Sequence, residues 1–152
     1  MIAFFVAAAL SVLVHELGHA TTQRLCGLPV ERIVWGVGPR LLRIGAFELR
    51  LIPFAGYITP VGAVMARRKW QGALIALSGI LATWLVVFFL AFAGAIHVGW
   101  LKDFAIWWLF WALVGLLQMI PIGQRDGRWA LAALGVLPVP GKAVEKRKPS
   151  KL

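Results

Sequence analysis

Two histidines stand one helical turn apart in the stretch His15-Glu16-Leu17-Gly18-His19, near the end of an otherwise apolar run over residues 1–27. In a helix, residues four apart project from one face, so both imidazoles can grip one metal ion, with Glu16 beside them. An ionisable side chain at bilayer depth costs at least ~2.5 to 3.5 kcal/mol on insertion scales, so three clustered ones imply a compensating partner such as a metal. The whole chain holds three histidines and six acidic residues, and this pentapeptide takes two of the first and one of the second. Zinc held by imidazoles brings the pKa of a bound water to about 7, and a neighbouring carboxylate can then accept its proton. The stretch therefore predicts a metal-binding helix inside a membrane, with His15 and His19 as ligands and Glu16 as general base.

The surroundings agree with a membrane setting. Of 152 residues, 61% are hydrophobic, the mean hydropathy is +0.82, and a single domain is the natural count. Residues 1–13 lack a basic leader and run into the histidine motif with no cleavage-like break, so they read as a retained first transmembrane helix. A helix over 2–27 would be about 39 Å long, enough to cross a hydrocarbon core of about 30 Å. Gly27 and Pro29 end it. The lone Cys26 excludes an intrachain disulfide and a cysteine-rich metal site, and reads as a small packed residue.

Across 28–60 the pattern turns strand-like. Val30 to Trp35 and Phe47 to Ile52 are β-branched or apolar with polar interruptions, separated by Gly36, Gly38, Pro39 and Gly45, and Phe54 to Thr59 offers a further strand. A two- or three-stranded sheet is expected. Its open edge cannot face lipid, and close to a catalytic centre it could hold an unwound substrate as an added strand. A plain cytosolic hairpin explains the same pattern equally well.

Arg67, Arg68, Lys69 and Trp70 mark a membrane boundary, and 72–98 reads as a second span with Ser78, Gly79, Ala82 and Thr83 as a small-residue contact surface. His97, near its far end, reads as interfacial and without a catalytic role. A short connection over 99–103 makes the third span, 104–137, an antiparallel neighbour, broken at 121–127. Irregular backbone at membrane depth persists only where it is buried or lines a cavity, which makes Asp126 the candidate third ligand. A straight helix would place Asp126 roughly 13 Å deeper than His15, so the broken segment must tilt or run sideways. Residues 1–137 thus form one core, and 138–152 form a basic tail that can touch anionic head groups.

The formal charge of +10 invites a nucleic-acid partner, but its distribution is topological. Of 16 Lys and Arg, only Lys102 falls on the side of the 99–103 connection. The positive-inside rule then puts the central loop and the C-terminus in the cytoplasm and the N-terminus outside, and no nucleic acid is needed.

With both motifs located, the chain resembles the site-2 protease family of intramembrane zinc metalloproteases, over about residues 2–137. His15 to His19 is its first motif, Gly36-Val37-Gly38-Pro39 with Leu51 to Tyr57 looks like its membrane-associated hairpin, and Pro121 to Gly127 resembles its segment ending in Asp-Gly. The resemblance implies an α-helical membrane protein of three core spans, one Zn2+ per chain on His15, His19 and Asp126, and Glu16 as base. It also implies a membrane-anchored protein substrate, with Gln118, Pro121, Gly56 and Tyr57 as substrate-binding candidates, in what is expected to be a bacterial cytoplasmic membrane. Three positions depart from the pattern: Arg125 for the usual Leu, Gln118 for Asn, and Thr83 where the second span often has Asn. The 99–103 connection is too short for the PDZ domain that many relatives carry there.

The expected function is an intramembrane zinc endopeptidase acting on membrane-anchored proteins. The alternative is an impaired family member serving as a metal-stabilised scaffold, favoured by Arg125 beside the ligand and disfavoured by retention of Glu16. A transporter component would need polar residues along a continuous path, whereas these cluster at one point.

Overall fold

The computed structural model describes residues 1–60, 68–97 and 99–139. Expectations for the basic tail beyond residue 139, for Arg67 and for Val98 lie outside these residues. The order is α1 (Ile2–Leu25), β1 (Val30–Ile44), β2 (Phe47–Pro60), α2 (Lys69–Phe92), α3 (Gly99–Gly115) and α4 (Asp126–Leu134), with 3-10 turns at Ala95–His97 and Leu116–Met119. Three helical segments, Ile2–Leu25, Lys69–Phe92 and Gly99–Met119, are long and apolar enough to cross a membrane. Their surfaces carry many exposed large apolar residues, such as Leu85 at 70%, Phe88 at 67% and Phe89 at 68%, which water would not favour and lipid does. The chain is an integral membrane protein of three apolar helices with a hairpin inserted between the first two.

Element bounds follow local chemistry. The first helix ends with Cys26 and Gly27 donating back to Thr22 and Arg24 carbonyls, Gly27 taking the left-handed conformation at φ 75°. The second starts at Lys69, before the expected 72, because the Gln71 side chain accepts from the Arg68 amide and caps it. It stops at Phe92, where Ala93 and Gly94 turn out. Residues 99–103, read as the connection, are instead the first turns of α3.

The hairpin is two long strands rather than three short ones, and both are bent. In β1 the bend falls at Gly36 and Gly38, which hold φ of 105° and 87°. Residues 33–35 consequently have two neighbours: Ile33, Val34 and Trp35 face Ile58, Tyr57 and Gly56 on one side, and Phe47, Glu48 and Leu49 on the other. Val30 and Arg32 pair with Pro60 and Thr59 at the end of β2, whereas Val37 to Ile44 pair with Ile52 to Phe47 as an antiparallel hairpin whose register shifts between Val37 and Leu42, closed at Gly45 and Ala46 with Ile44 opposite Phe47. Val34, at the centre, is fully buried.

Helix contacts are made by small residues and aromatic edges. A Cβ added to Gly18 would sit 2.5 Å from the Ser78 carbonyl oxygen and 2.7 Å from Ala82 Cβ, so this glycine sets the close approach of α1 to α2. Phe4 packs edge-on against Trp107 of α3 at 4.9 Å between centroids. Indole donors supply the polar ties. Trp108 Nε1 donates to the Thr83 carbonyl of α2 at 3.2 Å, and Trp35 Nε1 donates to Ala9 of α1 and Pro53 of β2 at 3.0 and 3.1 Å. These bonds anchor α3 to α2 and the hairpin to α1.

The third span breaks as the length argument requires. After Met119 the chain turns through Pro121 and Gly123, whose φ is 65°, and α4 packs back against α2. The reversal is tight enough that a Cβ on Gly127 would collide with the Met119 backbone. The fourth helix ends on Gly135 in the left-handed conformation, with Val136 donating to Leu131.

Candidate metal centre

The turn after Met119 brings Asp126, at the start of α4, to the face of α1 that carries both imidazoles. His15 Nε2 lies 3.0 Å from Asp126 Oδ2, His19 Nε2 lies 3.4 Å from it, and the two Nε2 atoms are 3.1 Å apart. These three atoms form a nearly equilateral triangle. Ligand atoms about 2.0–2.1 Å from a tetrahedral ion stand about 3.3 Å from one another, so the triangle has the size of one face of a zinc coordination sphere. Asp126 Oδ2 is buried and makes no hydrogen bond, a condition a cation would relieve. The donor set fits a divalent metal.

The shell behind the candidate ligands comes from α2. His19 Nδ1 donates to the Ile75 carbonyl at 2.6 Å, which fixes the tautomer and leaves Nε2 free to ligate. Ser78 Oγ also donates to Ile75 and lies 3.5 Å from the same ring nitrogen. Gly79 packs against the rings themselves. A Cβ there would lie 2.5 Å from His19 Nε2 and 2.7 Å from His15 Nε2 and Cε1. Sequence reading treated 78–83 as a helix contact surface and missed this role. The available signal was a glycine inside a strongly apolar helix, on the small face expected to meet α1.

Glu16 is buried at 8% exposure, one residue along from His15 and on the side facing the hairpin. Its neighbour there is Gly56 of β2, where a Cβ would lie 2.6 Å from Glu16 Cγ. The structure thus brings His15, His19 and Asp126 together and sets Gly56 against Glu16. Tyr57 points elsewhere: it is exposed, accepts a 3.4 Å bond from Arg50 and stacks under that guanidinium. Gln118 and Pro121 are exposed, and neither is hydrogen-bonded to the ligand cluster among the described residues.

Two of the three departures have clear surroundings. Arg125 donates from Nη1 to the Leu117 carbonyl at 3.1 Å, so it stabilises the 3-10 turn and does not point at the ligands. Thr83 is buried and donates to the Gly79 carbonyl at 3.0 Å.

The family model for peptidase family M50 matches residues 3–146. The chain belongs to this family. Among curated relatives, this M50 chain is 43% identical over 79 residues to a Chlamydia pneumoniae protein, covering 47% of the chain and 12% of the relative. It is 42% identical over 55 residues to one from Clostridium perfringens, covering 34% and 16%. It is 43% identical over 65 residues to one from Chlamydia trachomatis, covering 38% and 10%. Each relative bears the printed name "Putative zinc metalloprotease". The matched parts thus span from 10% to 16% of those relatives' lengths.

Proposed function

We propose that this chain is an intramembrane zinc endopeptidase that hydrolyses peptide bonds of membrane-anchored proteins, with one zinc held by His15, His19 and Asp126. The observation that carries the reading is the triangle of ligand atoms, 3.0 to 3.4 Å on a side, closed by a residue 107 positions beyond His19. Family membership and the relatives' names support zinc as the ion. Zinc bound there supplies Lewis acidity toward the scissile carbonyl and the attacking water.

The protein's own groups do the rest. Glu16 accepts the proton of the attacking water and passes it to the leaving amine, and its burial keeps bulk water from competing. The Ile75 carbonyl holds His19 in register. Gly56 belongs to the outer ladder segment 56–60, whose second edge takes no ladder partner among the described residues. A substrate segment unwound from its helix and added along that edge would pass beside Glu16 as an extended strand. Tyr57, Gln118 and Pro121 complete the proposed substrate-contact set.

Residues 1–137 form the catalytic core and 138–152 a basic tail. Lys and Arg placement supports a cytoplasmic central loop and C-terminus and an external N-terminus, in a cytoplasmic membrane, and the relatives support a bacterial origin. Arg125, the residue that favoured a scaffold role, is engaged with Leu117. The test is incubation of detergent-purified protein with a model single-span substrate, with and without a zinc chelator. Chelator-sensitive cleavage is expected; absence of cleavage by zinc-loaded protein favours the scaffold.

A further inference from the structure

We infer that Gly79 is a positioning residue for the metal centre: by lacking a side chain, it lets the His15 and His19 rings converge on one point. The inference rests on the reading of His15, His19 and Asp126 as zinc ligands. It is drawn from the surroundings of one glycine in α2.

The atoms nearest to a Cβ on Gly79 are ring atoms of the two ligands, at 2.5 and 2.7 Å, distances that real Cβ atoms essentially never show. Other close-packed glycines here meet different things. Gly18 faces the Ser78 backbone and Ala82, and Gly127 faces the Met119 backbone, so in both a side chain would push whole elements apart. At Gly79 it would push on the far ends of two imidazoles, which can swing aside. His15 meets His19 and Asp126 through Nε2 alone, and its Nδ1 makes no hydrogen bond that would resist that motion among the described residues. His19 is tied through Nδ1 to Ile75, four residues before Gly79 on the same helix, so its ring can yield only by giving up the bond that orients it.

The consequence differs by state. Without metal, the rings rotate away from a methyl group at 79 and the fold survives: the Ile75 carbonyl that His19 gives up keeps the Ser78 hydroxyl as donor, and the helix preference for alanine over glycine offsets the lost bond. With metal, both Nε2 atoms must turn toward one ion, and the added methyl occupies the space next to them. Gly79 is therefore required for metal affinity and not for folding. The small helix face read from the sequence has two tasks, helix contact at Ser78 and Ala82 and clearance for the rings at Gly79.

The experiment compares thermal unfolding of the full chain in detergent, metal-free and with added zinc, for the wild type, Gly79→Ala, His19→Ala and Gly115→Ala. The last adds a methyl at a helix glycine with open space around it. Zinc should raise the wild-type and Gly115→Ala midpoints, since a ligand that binds only the native state stabilises it by mass action. Metal-free Gly79→Ala should melt at or above the metal-free wild type, yet need about 10–100-fold more zinc for the same rise. Its cobalt-substituted form should lose the wild-type visible absorption bands. An unchanged zinc response with an unchanged cobalt spectrum overturns the inference. A metal-free Gly79→Ala protein that melts well below wild type also overturns it, because the glycine would then serve packing. A wild-type zinc response in His19→Ala would instead show that the metal centre itself was misassigned, and the inference would fall with it.

Discussion

The cluster of His15, His19 and Asp126 and the arginine-glutamate pair of the hairpin both hold ionisable groups on apolar scaffolding, but they are assembled over different distances in the chain. In the hairpin, Glu48 is buried at 3% exposure and accepts from Arg50 Nε at 2.8 Å, two residues away, and Arg50 reaches on to Tyr57. A pair this local forms as soon as the strand forms. At the candidate metal centre, His19 is oriented by a carbonyl 56 residues away and joined by a carboxylate from the far end of the chain. Only the finished bundle makes that site. Changes at the centre should therefore separate chemistry from metal binding, whereas changes in the hairpin should act on local stability and leave the metal alone.

The sharpest separation is at Glu16. Glu16→Gln should lower cleavage of a model substrate by about 10²–10⁴-fold, the usual worth of a general base, with zinc content unchanged by metal analysis. Zinc loss in that variant would merge the two roles that the comparison keeps apart. Asp126→Ala should weaken zinc binding by more than about 100-fold, beyond the effect typical of outer-shell partners. Undiminished zinc stoichiometry would remove Asp126 from the ligand set.

Smaller effects test the hairpin. Glu48→Gln should lower the unfolding midpoint by less than zinc removal does, with zinc content unaltered. The Arg50 guanidinium beside Glu48 holds its carboxyl below the usual value of 4.5. The native state then releases this proton more readily than the unfolded chain, so the ion pair stabilises the fold in full above about pH 4.5. That contribution fades as pH falls through the lowered native value. The gap between Glu48→Gln and wild type should accordingly be present at pH 7 and close on acidification; a gap that widens in acid would contradict the pairing. Smallest of all, Arg125→Leu should change zinc affinity less than about twofold, because the guanidinium engages the Leu117 carbonyl.

What could be read in advance follows the same division. The HELGH stretch, the three apolar spans and the break before Asp126 are local patterns, and each shows in the order of residues. The depth mismatch called for a segment that tilts or runs sideways, and the chain turns at Pro121 and Gly123 to bring α4 against α2. Three things were not legible. The double pairing of 33–35 depends on how the bent strands cross, and period-two alternation carries no information about that. The carbonyl of Ile75 is a backbone group, so no residue type marks it. Gly79 was visible as a small residue, but its neighbours come from α1, and only helix rotation decides whether it meets a backbone or a ligand. Arg125 shows the converse: its type favoured the scaffold alternative, and its rotamer sends the charge to the 3-10 turn instead.

The central claim is that two imidazoles of α1 and one carboxylate of α4 share an ion, and zinc X-ray absorption spectroscopy of the purified, membrane-extracted protein addresses it directly. The account predicts nitrogen and oxygen neighbours at about 2.0–2.1 Å with the multiple-scattering pattern of two imidazoles, falling to one imidazole in His19→Ala. A spectrum without imidazole scattering, or one dominated by sulfur near 2.3 Å, would contradict it.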